Sequence, residues 1–267
     1  MPLADYTKRE VADALLAQRT RTITLLEPLE DAQWETIVVP GWRVREVAAH
    51  LITGDESAFN GQMMRLGFTQ RPMGDIEAWN ETQVARWADR PVPSLLQALE
   101  KWGTRLSRIA RTIPGVLARR PIPTPFGRVS LRWLAMLRVY DEWVHGEDVR
   151  RALDRPSDDA PASVRPVARQ LLAALPVQTL PLISPAASGS VTIRFADLDL
   201  PPVGFDLDEQ RYGMTVEGAA TIVAEAAPFV MVAAHRDAWR DVEAAGALKI
   251  EGDREAAETF LDALTVI

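Results

Sequence analysis

The chain reads as two domains of different class, a helical first half and an α+β second half, and three observations predict this. Its 267 residues exceed what one hydrophobic core usually serves. Apolar positions recur at a period near 3.6 through the first half, whereas short β-branched runs broken by glycine and proline follow in the second. Between them DRPSDDAPA is polar and proline-rich, as a linker is. The expected architecture is a four-helix bundle over residues 1–153, a linker over 154–162 and a smaller α+β domain over 163–267.

From about Asp5 to Leu26 the stripe Val11, Leu15, Leu16, Ile23 and Leu26 predicts a first amphipathic helix, with Thr7 as cap and Pro28 just beyond its end. Pro40 and Gly41 mark a turn, after which Val44, Val47, Ala48, Leu51 and Ile52 form the apolar stripe of a second helix with His50 at its edge. A weaker helical segment spans Ile76 to Trp87. PVPSLLQALEKWGTRLSRIARTIP predicts a third long helix, Ser94 near its start and Pro114 closing it. ARRPIPTPFGRVS is dense in proline and glycine and is expected to be an irregular crossing loop ending in Ser130, the cap of a fourth helix, Leu131 to Leu153. In the second half, Val164 to Leu175 is helical and strands lie within SGSVTIRFADLDLPPVGFDL and RYGMTVEGAATIVAEA. A helix from Phe229 to Ala245, a strand at ALKIEG and a closing helix capped by Asp253 complete it.

The net charge of −7 argues against a nucleic-acid partner held through phosphates. No run is long and apolar enough for a membrane span, and the charged N-terminus lacks the apolar core of a signal peptide, so a cytoplasmic protein is expected. With no cysteine, the chain has no disulfide, no thiolate nucleophile and no cysteine ligand for a metal. Sulfur chemistry would have to arrive with a small molecule.

The fourth helix carries the strongest chemical signal. Around His145 it places Asp141 at i−4, Glu142 at i−3 and Asp148 at i+3, and Leu134, Leu137, Val144 and Leu153 are expected to bury the opposite face. His50 on another helix completes a set of imidazoles and carboxylate suited to zinc, nickel or ferrous iron, with coordination positions open to water or substrate. Spacing leaves Asp141 and Glu142 both available, Asp141 ahead. Asp148 either orients His145 or pairs with Arg151 or Arg138, the ion pair slightly ahead. Trp42, Trp133 and Trp143 either shape a pocket mouth or pack as core. In the second domain His235 has no acidic partner at helical spacing, and Arg236 and Arg240, four apart, form either an anion site or solvated pairs with Asp237 and Asp241.

PGWRVREVAAHL and VYDEWVHGEDVRRAL resemble the second helix and the fourth-helix metal motif of DinB-like bundle proteins, and the best match is the mycothiol-dependent maleylpyruvate isomerase family. AAHRDAWRDVEAAGALKIEGDREAAETFLDAL is similar to that family's sterol-carrier-like α+β domain. The resemblance implies His50, Asp141 and His145 as metal ligands, although the family usually has glutamate in place of Asp141, and Arg236 as its functional arginine. It also implies a divalent metal, zinc first, that activates mycothiol as thiol cosubstrate for cis–trans isomerisation or S-transfer. The expected substrate is a small molecule with a carboxylate or an electrophilic double bond, handled by a monomer or homodimer. A non-catalytic small-molecule-binding protein on the same fold is the alternative.

Overall fold

The structure, a computed structural model, describes residues 4–60, 73–124, 127–213 and 218–266. They form two compact units, Ala4–Asp158 and the residues described from Asp159 onward.

Helix α1 (Lys8–Leu26) starts where the Thr7 hydroxyl accepts the Glu10 N–H and the Glu10 carboxylate accepts the Thr7 N–H. Two otherwise unpaired donors are satisfied at once. After a single turn, α2 (Asp31–Trp34), strands β1 (Ile37–Val39) and β2 (Trp42–Arg43) form a short antiparallel hairpin. Its turn uses Gly41 at φ +84°, a conformation that costs glycine nothing. Helices α3 (Val44–Asn60), α4 (Met73–Ala88) and α5 (Val92–Thr112) follow.

The stretch expected to be an irregular loop is more ordered than its composition suggests. A short helix, α6 (Gly115–Arg119), leads into an antiparallel hairpin of β3 (Pro121–Thr124) and β4 (Gly127–Ser130), Pro121 opposite Ser130. Prolines are tolerated in β3 because it pairs on one side only. Pro125 and Phe126 lie outside the described residues. The Ser130 hydroxyl then accepts the Trp133 N–H and starts α7 (Leu131–Ala152), as its position predicts.

The long helices α1, α3, α5 and α7 make a four-helix bundle, in which α1 packs on α5 and α7, and α3 packs on α4, α5 and α7. One core runs through it, built on Leu26, Trp34, Val47, Leu51, Leu95, Leu99 and Val149. Helix α7 departs from the two-faced expectation. Glu142, His145, Glu147 and Asp148 are buried along with Trp133, Tyr140 and Trp143, so these four polar residues face protein rather than water. Trp133 and Trp143 are therefore core.

In the second unit α8 (Pro161–Gln178) begins three residues before the expected Val164, with proline at its first position, where the missing N–H has no helical partner to lose. Five strands follow the order β7 (Arg211–Gly213), β6 (Val203–Asp206), β5 (Ser190–Phe195), β8 (Ala220–Ala224), β9 (Leu248–Gly252). Among the described residues, β5 and β8 pair in parallel and the other neighbours are antiparallel. The strands expected within RYGMTVEGAATIVAEA are β7 and β8, and residues 214–217 between them lie outside the described residues. Helix α11 (Arg254–Ala263), capped by Asp253, packs on β5, β8 and β9.

The helix expected from Phe229 to Ala245 is two, α9 (Ala226–Ala233) and α10 (Trp239–Ala244). His235 adopts φ +57° and the Arg236 N–H donates back to Met231 O at 2.8 Å, a left-handed C-terminal cap that ends α9. No helix among the described residues is long and apolar enough to cross a membrane.

Candidate metal centre

His50 and His145 come from different helices, α3 and α7, yet their ring centroids are 5.0 Å apart. Asp141, one turn before His145, reaches between them. Its Oδ2 is 3.5 Å from His50 Nε2 and its Oδ1 is 3.7 Å from His145 Nε2. One donor atom from each of the three lies within 4.8 Å of the others. Bonds of about 2.0–2.2 Å from one tetrahedral ion put ligand atoms about 3.3–3.6 Å apart; the 3.5 Å separation falls in that range, and the 3.7 Å one, made by the other carboxylate oxygen, lies just outside it.

Both ring nitrogens of His50 are buried without a hydrogen-bond partner among the described residues. A buried imidazole left so costs free energy unless something else meets its lone pair. Burial lowers the His50 pKa, with Asp141 opposing, which favours the neutral form that binds metal. For Asp141 burial works upward, but Arg138 and His50 outweigh it and hold the carboxyl well below the usual carboxylate range. The site therefore offers neutral imidazole and ionised carboxylate, the donor states a divalent cation requires.

Spacing left the acid open, and the geometry separates the two candidates. Glu142, with a side chain 3 % exposed, takes a bidentate pair from Arg19, Nε to Oε1 at 2.7 Å and Nη2 to Oε2 at 2.9 Å. It faces α1 and is occupied. Asp148 lies with Oδ2 3.2 Å from His145 Nδ1. Placing the imidazole proton on Nδ1 leaves the Nε2 lone pair for a cation on the Asp141 side, so Asp148 is placed to orient the ring. Asp148→Asn is expected to weaken metal binding about 10-fold, checked by competition with a chelator, while the fold persists.

Trp42, delivered by the β1–β2 hairpin, stands against both imidazoles, 5.0 Å from His50 and 6.1 Å from His145 between ring centroids. Arg236 is exposed in the connector between α9 and α10, its Nη1 donating to Ala234 O at 2.8 Å. Arg240 instead lies in α10, over Trp239 and paired with Asp262, so the two arginines do not share a helix face. His235 contacts Thr265 Oγ1 through Nε2 at 3.1 Å.

Sequence reasoning missed a buried ionic network beneath the three donors. Arg19 Nη2 donates to Asp55 Oδ2 at 2.8 Å, and Arg138 bridges Asp55 Oδ1 at 3.2 Å and Asp141 Oδ2 at 2.6 Å. The available signal was Arg19 itself, a charge four residues after Leu15 and seven before Leu26 on an apolar stripe. Gly54 and Gly103 make room for it: a Cβ on Gly54 would come within 2.6 Å of the Arg138 guanidinium, and one on Gly103 within 2.6 Å of Arg19 Cγ. Each glycine costs its helix about 0.5–1 kcal/mol relative to alanine.

A helical bundle that converges two histidines and a carboxylate, followed by a separate α+β unit, defines a two-part protein with a candidate metal centre. The chain belongs to the mycothiol maleylpyruvate isomerase N-terminal domain family, whose model matches residues 15–150. Two crystal structures of mycothiol-dependent maleylpyruvate isomerase, one a histidine-to-alanine mutant, share its fold with a TM-score of 0.60. The mutant is 15% identical and the other 14%, and in each case 94% of this chain and 96% of the other is covered. No protein of curated function matches the chain.

Proposed function

We propose that the chain is a metal-dependent, mycothiol-using enzyme, a maleylpyruvate-type cis–trans isomerase or a thiol S-transferase, with His50, Asp141 and His145 as ligands. The observation that carries the reading is the convergence of these three donors from two helices around an imidazole whose buried nitrogens have no hydrogen-bond partner among the described residues. Membership of the family and the cysteine-free sequence support the choice of an imported thiol. A divalent cation held there, zinc first and nickel or iron as alternatives, supplies Lewis acidity that lowers a thiol's pKa and so provides thiolate near neutral pH. Three protein ligands leave coordination room for that thiol. Asp148 keeps the His145 donor nitrogen aimed at the cation, and Trp42 supplies an apolar wall beside both imidazoles.

We assign the substrate's carboxylate to Arg236 on the resemblance of its segment to the family's, a guanidinium being suited to a bidentate grip. Arg236→Ala is expected to lower kcat/KM about 10-fold or more, since a hydrogen bond to a charged group is worth about 1.5–3 kcal/mol. Metal content should stay the same, and an unchanged kcat/KM removes the assignment.

The deciding assay gives metal-loaded protein mycothiol with maleylpyruvate, then with a panel of thiol-reactive electrophiles. Turnover that needs both metal and mycothiol is expected. Saturable ligand binding without mycothiol-dependent turnover of any of them would instead make the chain a small-molecule-binding protein.

A further inference from the structure

We propose that Arg138 is a positioning residue of the metal centre, fixing the orientation of Asp141 and tying it to the helix that bears His50. An aspartate has two rotatable bonds between backbone and carboxylate, so spacing alone does not aim it. Here Oδ2 is engaged by Arg138 Nη1 at 2.6 Å, which leaves Oδ1 turned toward His145. Arg138 is anchored on α3 twice more, through Nε to Asp55 Oδ1 at 3.2 Å and through Nη2 to Leu51 O at 3.2 Å. His50, Leu51, Gly54 and Asp55 all belong to α3, whereas Arg138, Asp141 and His145 belong to α7. The guanidinium therefore links the two helices at the level of the ligands.

Asp55 is in turn fixed by Arg19, whose guanidinium also binds Glu142 and Leu99 O, so α1 and α5 brace the same anchor. Gly54 provides the space. Any side chain there would meet the guanidinium at 2.6–2.8 Å, closer than real Cβ contacts come, and the flexible arginine head would yield before the backbone. That gives a way to move Arg138 without removing its charge.

The inference rests on the reading of His50, Asp141 and His145 as ligands, and the test separates the two. Metal-free full-length protein is titrated with Zn²⁺ against a colorimetric chelator for the wild type, Arg138→Gln, Arg138→Lys and Gly54→Ala, with the melting temperature of each metal-free protein recorded beside it. Arg138→Gln and Gly54→Ala are expected to bind zinc roughly 10–100-fold more weakly than the wild type, the range typical of losing a group that orients a ligand. Arg138→Lys should fall between, because one ammonium keeps the charge but cannot hold Asp141, Asp55 and Leu51 O together. Gly54→Ala sets the helix gain of alanine over glycine against the displaced guanidinium contacts, so its zinc affinity is compared at a temperature where the metal-free melt shows it fully folded. Wild-type zinc binding matched by both Gly54→Ala and Arg138→Gln overturns the positioning role and leaves the ligand assignment standing. A wild type that takes up no zinc overturns the ligand assignment, and this inference with it. If Arg138→Gln does not fold, Gly54→Ala decides by the same criterion.

Discussion

Arg19→Met is expected to destabilise the bundle by about 3–5 kcal/mol, the cost of leaving a buried charge without its partner. The Asp55 and Glu142 side chains are 1 % and 3 % exposed, and Arg19 donates to both. Removing it takes both guanidinium hydrogen bonds from Glu142 and leaves Asp55 its bond from Arg138. Burial by itself would lower the Arg19 pKa, and Glu142 and Asp55 reverse that and hold the guanidinium charged. For a unit of this size the loss corresponds to a fall of roughly 6–20 °C in melting temperature. A double variant, Arg19→Met with Glu142→Gln, should recover part of it because one stranded charge is gone. Melting within about 2 °C of the wild type would show that the network contributes little, as some ion pairs do once both partners can find water.

The same network explains which parts of the molecule were legible in the sequence. Helix starts were, because capping is local: Thr7, Ser130 and Asp253 each accept a backbone N–H at the expected place. The pair of histidines with a carboxylate one turn away was also legible, since the i−4 spacing of Asp141 and His145 needs only a helix. Which carboxylate turns inward was not. Asp141 and Glu142 differ by 100° around α7, and what separates them is Arg19, 123 residues from Glu142 in sequence. Composition also misled where local strand pairing overrides it, as in the proline-containing β3–β4 hairpin. At His235 a single left-handed residue split a helix that apolar periodicity had drawn as continuous.

His50→Ala and His145→Ala are expected to abolish stoichiometric metal binding while leaving the fold in place, and their neighbour Glu142 should behave in the opposite way. Structural zinc sites carry roughly 10–16 kcal/mol over four ligands, about 2.5–4 kcal/mol each, so losing one of three protein donors weakens affinity by roughly fifty- to a thousandfold. Neither histidine is held by many hydrogen bonds. The His50 ring nitrogens have no hydrogen-bond partner among the described residues and His145 has Asp148, so truncation removes few interactions from the metal-free protein. Glu142→Gln, by contrast, weakens the bidentate pair with Arg19 and should lower the melting temperature with metal content intact. Elemental analysis of untagged protein beside thermal melts distinguishes the outcomes. Metal retained in both histidine variants would remove them from the ligand set, and metal lost with Glu142→Gln at an unchanged melting temperature would return the glutamate to it. The opposed phenotypes of residues 142 and 145, three apart on one helix, would assign stability to the face turned toward Arg19 and chemistry to the face turned toward His50.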